Sequence, residues 1–139
     1  MAYLQCQSVN NFEVILVDNG SSDGSCAFVA ARYPWVHLIE LPENFGFCKA
    51  VNEGIKASRA PYVLLLNNDI EVTENFIEEM IFAIKRHPKA FSCAARMIQF
   101  HDRDKLDDAG NYYCALGWAY ARGKGKDIHT YEKEEKIFA

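Results

Sequence analysis

Short apolar runs alternate with amphipathic stretches along residues 12–100 of the chain. Three of the runs are rich in branched apolar side chains and predict buried strands at 12–17, 36–41 and 62–66. The stretches that follow them repeat apolar residues at helical spacing and predict helices at 25–33, 46–58 and 73–87. A fourth strand is expected at 91–100. Strands that alternate with single helices indicate an α/β fold with a mostly parallel sheet and flanking helices.

The pattern changes after residue 100. A turn at 107–110 precedes an aromatic and apolar stretch at 111–122, which predicts a β-hairpin or an irregular flap. A further strand is expected to begin at 137–139. Earlier in the chain, Gly54 lies inside the second predicted helix, where glycine costs about 1 kcal/mol relative to alanine. We therefore expect that helix to approach the sheet or a ligand closely.

The bulk properties of the chain narrow the class of protein. A length of 139 residues is enough for one domain with a buried core. The net charge of −4 argues against a nucleic-acid-binding surface, which is usually basic. Five cysteines, at spacings that suit no zinc site, indicate free thiols in a reducing cytoplasm. No apolar stretch reaches the roughly 20 residues of a membrane span, so membrane association is expected only from segments of a longer protein.

A polar loop follows each of the three predicted strands, at the edge where an open α/β sheet binds its ligand. In the first loop, the Asp18 carboxylate can accept hydrogen bonds from a nucleoside base or a ribose hydroxyl. Ser21 and Asp23 either contact that ligand or cap the helix behind the loop. In the second loop, Asn44 and Gly46 precede a helix N-terminus, which can approach a phosphate or a sugar.

The second loop lacks the glycine patterns of dinucleotide-binding and P-loop proteins. Asn52, further along its helix, either reaches the ligand or hydrogen-bonds a loop. The third loop contains Asn67, Asn68 and Asp69. Mg²⁺ or Mn²⁺ often takes one or two protein carboxylates together with phosphate oxygens, which makes Asp69 the candidate metal ligand. The alternative is a plain turn in which Asp69 and Thr73 act as local caps.

These motifs resemble those of family 2 glycosyltransferases, which have the GT-A fold. The resemblance rests on the sequences VDNGSSDGS at 17–25, NFGF at 44–47 and LNND at 66–69, and it extends over about 4–122. The sequence DAG at 108–110 is similar to the rhamnosyltransferase-like subgroup. The resemblance implies an inverting sugar transfer in polysaccharide biosynthesis, from a UDP- or dTDP-sugar to a carbohydrate or lipid-linked acceptor, with Mg²⁺ or Mn²⁺ as cofactor.

The same resemblance assigns roles to single residues. Asp18 would contact the nucleoside base and Asp69 would bind the metal, while Asn67 departs from the family's DXD pattern. The implied donor-binding residues are Asp18, Asn19, Ser21, Asp23, Asn44, Gly46, Asn52, Asn67 and Asn68.

Two features of the family have no counterpart in this sequence. The family begins with a strand that precedes the first one predicted here, and its catalytic base lies in the acceptor half. We therefore expect 1–139 to form one partial donor-binding domain, truncated at both ends, whose catalytic residues are unknown. Two alternatives are a module that binds nucleotide sugars without turnover and an α/β interaction domain. For the interaction domain, loss of that first strand would expose a sheet edge and favour self-association.

Overall fold

The computed structural model describes residues 1–137, which form four helices and six strands. The elements are α1 (Ala2–Gln5), β1 (Ile15–Asp18), α2 (Ser25–Arg32), β2 (His37–Glu40), α3 (Phe47–Ala57), α4 (Phe76–Arg86), β3 (Met97–Ile98), β4 (Leu106–Asp108), β5 (Asn111–Tyr113) and β6 (Ala119–Ala121). The chain divides into two compact units, Met1–Phe76 and the residues from Ile77 onward. Of the strand expected at 137–139, Phe138 and Ala139 lie outside the described residues. The mixed α/β character predicted from the sequence is confirmed.

The first unit contains the parallel pair that the sequence predicted. β1 and β2 pair in parallel, with Ile15 opposite His37 and Asp18 opposite Glu40. The connection between them is α2, as expected for a crossover between parallel strands. α3 packs on β1, where a Cβ added at Gly54 would lie 3.2 Å from Cγ2 of Val17. The close approach expected at this glycine is therefore confirmed, since even the Cβ of an alanine would be in tight contact with the Val17 side chain.

The prediction of a strand at 62–66 is wrong, because this segment is not a strand in the structure. Tyr62, Val63 and Leu65 are each half-exposed. An apolar run becomes a strand only where a neighbouring chain accepts and donates its ladder hydrogen bonds, and no described residue pairs with this segment. The parallel sheet is therefore confirmed for β1 and β2 and does not extend to the third run. Self-association through a sheet edge stays a prediction.

α4 begins later than its sequence predicts. The helix was expected after Thr73 and starts at Phe76. The carbonyl oxygen of Thr73 accepts a hydrogen bond from Nε2 of the buried Gln7 at 2.7 Å. The Glu74 carbonyl oxygen accepts one from the Ser8 N–H at 2.7 Å. These bonds join the segment just before α4 to the N-terminal segment.

The second unit departs from a parallel arrangement. The strand predicted at 91–100 is reduced to β3, which pairs antiparallel with β4. A register irregularity between Met97 and Ile98 interrupts the pairing. The chain reverses at once, because the Gln99 N–H donates to the Lys105 carbonyl oxygen at 2.9 Å. A connection this short cannot make the crossover that parallel strands need.

The aromatic stretch at 111–122 forms a β-hairpin, as predicted. β5 pairs antiparallel with β6, and Tyr112 lies opposite Tyr120. The buried guanidinium of Arg122 holds the base of this hairpin, since it donates to the Ala109 carbonyl oxygen at 3.0 Å and pairs with Glu135. It also lies 4.1 Å from the ring centroid of Tyr131. No helix among residues 1–137 is both long and apolar enough to span a bilayer.

Candidate functional site

The Asp18 carboxylate lies at the end of β1, where the first polar loop begins. Its Oδ2 accepts a hydrogen bond from the Ser21 backbone N–H at 2.8 Å. Hydrogen bonds from the Ser21 side chain and backbone lower the pKa of Asp18 below its usual 3.8. The pKa of the Cys26 thiol is raised to about 11, chiefly because the thiol is removed from solvent and also because it hydrogen-bonds to Asp18 and Glu40. At neutral pH, Asp18 is therefore an ionised acceptor beside a protonated thiol.

Asp23 anchors the start of α2. Its Oδ1 accepts hydrogen bonds from the Ser25 hydroxyl at 2.6 Å and the Ser25 backbone N–H at 3.0 Å. The same two bonds lower the pKa of Asp23, the hydroxyl contributing more. The sequence left a capping role and a ligand role open. Asp23 precedes Gly24, the N-cap residue of α2, so these bonds form a local turn just ahead of the helix, and the ligand role stays a prediction.

Two asparagine side chains join the first loop to the second. Nδ2 of Asn19 donates to Oδ1 of Asn44 at 2.9 Å. Oδ1 of Asn19 in turn accepts from the Phe45 backbone N–H at 3.0 Å. Oδ1 of Asn44 also accepts from the Gly46 N–H at 2.9 Å, just before α3 begins. The first two polar loops, which the sequence places at the same edge of the sheet, therefore meet in a hydrogen-bonded contact. We call this contact the asparagine clasp (Asn19 and Asn44).

Gly20 lets the two loops approach each other. Its φ is +82°, which is left-handed backbone that glycine adopts without steric cost. A Cβ added here would lie 2.6 Å from the Glu43 carbonyl carbon and 2.8 Å from the Asn44 nitrogen. Both are backbone atoms, so no side-chain rotation could relieve the contact.

A cleft of about 540 Å³ opens beside the end of β1. Its lining includes the apolar and aromatic residues Phe28, Val29 and Tyr33 of the α2 region. It also includes polar residues, namely Asp18, Ser21, Asp23, Ser25 and Asn68. A pocket with an apolar lining and a few polar groups is the usual form of a small-molecule site.

Some of the predicted site residues gather at this cleft, and others do not. Asp18, Ser21, Asp23 and Asn68 line it, while Asn19, Asn44 and Gly46 adjoin it through the asparagine clasp. Asn52, Asn67 and Asp69 are not among the described residues that line the cleft. Asp69 lies in an exposed turn with Asn68, one residue beyond the cleft.

The oxygen donors near the cleft suit a hard divalent cation only in part. No group of three or more His, Cys, Asp and Glu side chains within residues 1–137 could hold an ion. A cation here would take most of its ligands from phosphate and water, which is how Mg²⁺ commonly binds with nucleotides. A single exposed carboxylate such as Asp69 fits that mode of binding.

Sequence reasoning missed two features of the site. It assigned no role to Gly20, whose positive φ and close contacts appear only once the two loops are placed together. It also assigned no role in the site to Phe28 and Val29 of the helix predicted at 25–33, and both line the cleft. The glycine in the Asn-Gly pair at 19–20 is the one sequence signal that pointed to an unusual backbone.

Comparison with known proteins gives one family. The sequence profile described as "Glycosyl transferase family 2" matches residues 4–136. This range covers all three polar loops and both compact units.

Individual relatives agree with that match. The chain is 29% identical over 110 residues to "Glycosyltransferase GlyG" of Streptococcus pneumoniae, covering 77% of this chain and 31% of the relative. It is 31% identical over 101 residues to an "N-acetylglucosaminyl-diphospho-decaprenol L-rhamnosyltransferase" of Mycobacterium tuberculosis, covering 65% and 33%. It is 30% identical over 95 residues to a "Dolichyl-phosphate beta-glucosyltransferase" of Dictyostelium discoideum, covering 62% and 29%.

The chain thus spans about a third of the length of the curated relatives it matches. No solved structure matches it with significance.

Proposed function

The chain belongs to glycosyl transferase family 2, and from this membership we propose that it binds the donor for a glycosyltransferase reaction. The donor is a nucleotide-diphospho-sugar with UDP or dTDP as the nucleotide. The reaction transfers the sugar, with inversion, to a hydroxyl of a carbohydrate or lipid-linked acceptor. Residues 1–139 act as the donor-binding domain of GT-A type, in a cytoplasmic step of polysaccharide biosynthesis.

The cleft beside β1 is the observation that carries this proposal. Its aromatic lining residues Phe28 and Tyr33 offer surface against which a nucleoside base can stack. Its lining also includes the ionised Asp18 carboxylate, which can accept hydrogen bonds from the base N–H or a ribose hydroxyl. The combination suits a nucleoside better than a purely charged ligand.

The second loop would bind the diphosphate. Gly46 has a φ of +83° and immediately precedes α3, whose N-terminal N–H groups and dipole favour an anion. The asparagine clasp fixes this helix start relative to Asp18. Nucleoside and phosphate subsites held rigidly together lose less entropy on binding than two mobile loops would.

Asp69 is the residue that would hold a divalent cation, with Asn67 and Asn68 beside it. Mg²⁺ or Mn²⁺ bound there would neutralise charge on the diphosphate leaving group. Asn68 borders the cleft and would contact the donor directly.

The transfer itself needs a base that we do not assign. The acceptor oxygen attacks the anomeric carbon, the bond from that carbon to the diphosphate breaks, and the nucleoside diphosphate departs with the electron pair. The hydroxyl proton passes to a general base, which contributes a factor of about 10²–10⁴ to such reactions. A chain that binds the donor without this base would be a nucleotide-sugar-binding module without turnover, which is the alternative we retain.

Calorimetric titration tests the proposal. UDP and dTDP are titrated into the chain with and without Mn²⁺, and each titration is repeated with Asp18→Asn and Asp69→Ala. We expect Asp18→Asn to weaken binding with or without Mn²⁺, because it removes the charged acceptor. Asp69→Ala should abolish only the increase in affinity that Mn²⁺ produces.

Asp104→Ala is the matched control, since it removes an exposed carboxylate in the second unit. Saturable binding that all three variants retain unchanged would contradict the site assignment. Binding without any sugar transfer from UDP- or dTDP-sugars to added acceptors would favour the binding module over the complete enzyme.

A further inference from the structure

The hairpin formed by β5 and β6 ends in an apolar tip. We propose that this tip, residues 113–120, inserts into the interfacial layer of a phospholipid bilayer and holds the chain at a membrane surface. The proposal is independent of the donor site, which lies in the other compact unit.

The composition of the hairpin is unusual for an exposed turn. Residues 111–121 read NYYCALGWAYA and contain no charged side chain. Hairpin turns usually contain Asn, Asp, Gly or Ser, and Gly117 is the only such residue between the two strands here. Leu116, beside it, is 78% exposed and Trp118 is 61% exposed. Contiguous apolar surface of this kind marks an interaction site.

The distribution of aromatic side chains over both faces of the hairpin favours lipid over a carbohydrate as the ligand. Tyr120 of β6 pairs with Tyr112 of β5, so these two side chains share one face, and Trp118 immediately precedes β6. Tyr113 pairs with Ala119 and lies on the opposite face, where it is also half-exposed. A sugar stacks on one aromatic face, whereas a tip that is apolar on both faces and carries Leu116 at its apex suits immersion in lipid. Trp and Tyr are the residues that prefer the headgroup level of a membrane.

The base of the hairpin presents the tip rigidly and carries basic residues. Arg122 bonds the Ala109 carbonyl oxygen and pairs with Glu135, which fixes the point where β6 ends. Lys124 and Lys126 follow within four residues and are exposed, and Nζ of Lys124 lies 3.3 Å from Oδ1 of Asp107. From Ile77 onward the chain has eleven Lys and Arg against ten Asp and Glu, whereas Met1–Phe76 has four against nine. The unit that carries the hairpin is thus the one that an anionic lipid surface would not repel.

Tryptophan fluorescence tests the proposal without altering the hairpin. The chain has two tryptophans, so Trp35→Phe leaves Trp118 as the sole reporter. Vesicles of equal parts phosphatidylcholine and phosphatidylglycerol are added, either plain or with brominated acyl chains. We expect the Trp118 emission to shift to shorter wavelength and to be quenched by the brominated lipid. Unchanged emission would overturn the proposal.

Co-sedimentation with the same vesicles locates the contact. Leu116→Ser and Trp118→Ser should each weaken partitioning about tenfold, the loss expected when one large apolar side chain no longer enters the lipid. Phe91→Ser is the matched control, since Phe91 is a fully exposed aromatic outside the hairpin, and it should bind as the unmodified chain does.

Three other results would overturn the proposal. Equal loss in Phe91→Ser would indicate non-specific adhesion. A dimer in sedimentation velocity that Trp118→Ser dissociates, without vesicle binding, would assign the tip to a second copy of this chain. A Trp118 emission shift with soluble oligosaccharides and not with vesicles would assign it to a carbohydrate.

Discussion

Substitution of Gly20 by alanine tests how closely the first two loops approach each other. The added Cβ would lie 2.6 Å from the Glu43 carbonyl carbon, and ordinary contacts begin at 3.4 Å, so the loops would have to separate by about 0.8 Å. A separation of that size would lengthen the hydrogen bond between Asn19 and Asn44, now 2.9 Å, beyond useful range. The perturbation therefore reaches the asparagine clasp as well as the glycine.

Two costs add in this variant. Alanine in left-handed backbone costs about 1–2 kcal/mol. Forcing extra atoms into a close contact typically costs about 1–3 kcal/mol more. We expect Gly20→Ala to lower the free energy of unfolding by about 2–5 kcal/mol in urea denaturation, and to weaken UDP binding by displacing the start of α3 from Asp18.

Gly24→Ala is a matched control for the backbone cost alone. Gly24 has a φ of +86°, close to that of Gly20, but a Cβ added there would meet no atom within 4 Å. It should therefore lower the free energy of unfolding by only about 1–2 kcal/mol. Equal destabilisation by the two variants would refute the reasoning, because the steric contact would then contribute nothing.

Three further predictions concern the clasp, the pH dependence and the hairpin base. A double-mutant cycle of Asn19→Ala and Asn44→Ala in urea denaturation should give a coupling energy of about 0.5–1 kcal/mol, and additive effects would argue against the clasp. Because the pKa of Asp18 is lowered in the folded state, its contribution to stability is present above pH 3.8 and is lost as the pH falls through the folded-state pKa. Asp18→Asn removes this titrating group, so it should flatten the acid side of a plot of melting temperature against pH. Arg122→Met should lower the free energy of unfolding by about 1–3 kcal/mol, since it leaves the carbonyl oxygen of the buried Ala109 without this donor, while the half-exposed Glu135 stays solvated. Arg86→Ala, which breaks an exposed pair, should change it by less than about 1 kcal/mol.

Local pattern was enough to predict the helices α2 and α3. The predicted helix at 25–33 corresponds to α2, and the one at 46–58 corresponds to α3. Pro34 follows the end of α2 closely, and Lys85 and Arg86 occupy the last turn of α4, as helix-ending signals predict. Such signals act within a few residues, so they can be recognised without knowing the fold.

The sequence alone was likewise enough to assign the chain to its family. The three polar loops, and their order along the chain, gave the assignment that the family profile later matched over residues 4–136. The residues that bind a donor, the metal and the acceptor stay predictions, because a motif specifies residue types and not the distances between their atoms.

Which strands pair and which loops contact each other depends on the tertiary structure and not on local sequence. The apolar run at 62–66 has the composition of a strand but lacks a ladder partner, and no local pattern reveals a partner's absence. The asparagine clasp joins residues 25 positions apart, and the need for glycine at position 20 follows from where residues 43 and 44 lie. Sequence by itself determined which segments could be helical or extended and which family they belong to. The tertiary structure decided which backbone groups meet, because hydrogen bonds and steric contacts between distant residues depend on the path of the whole chain.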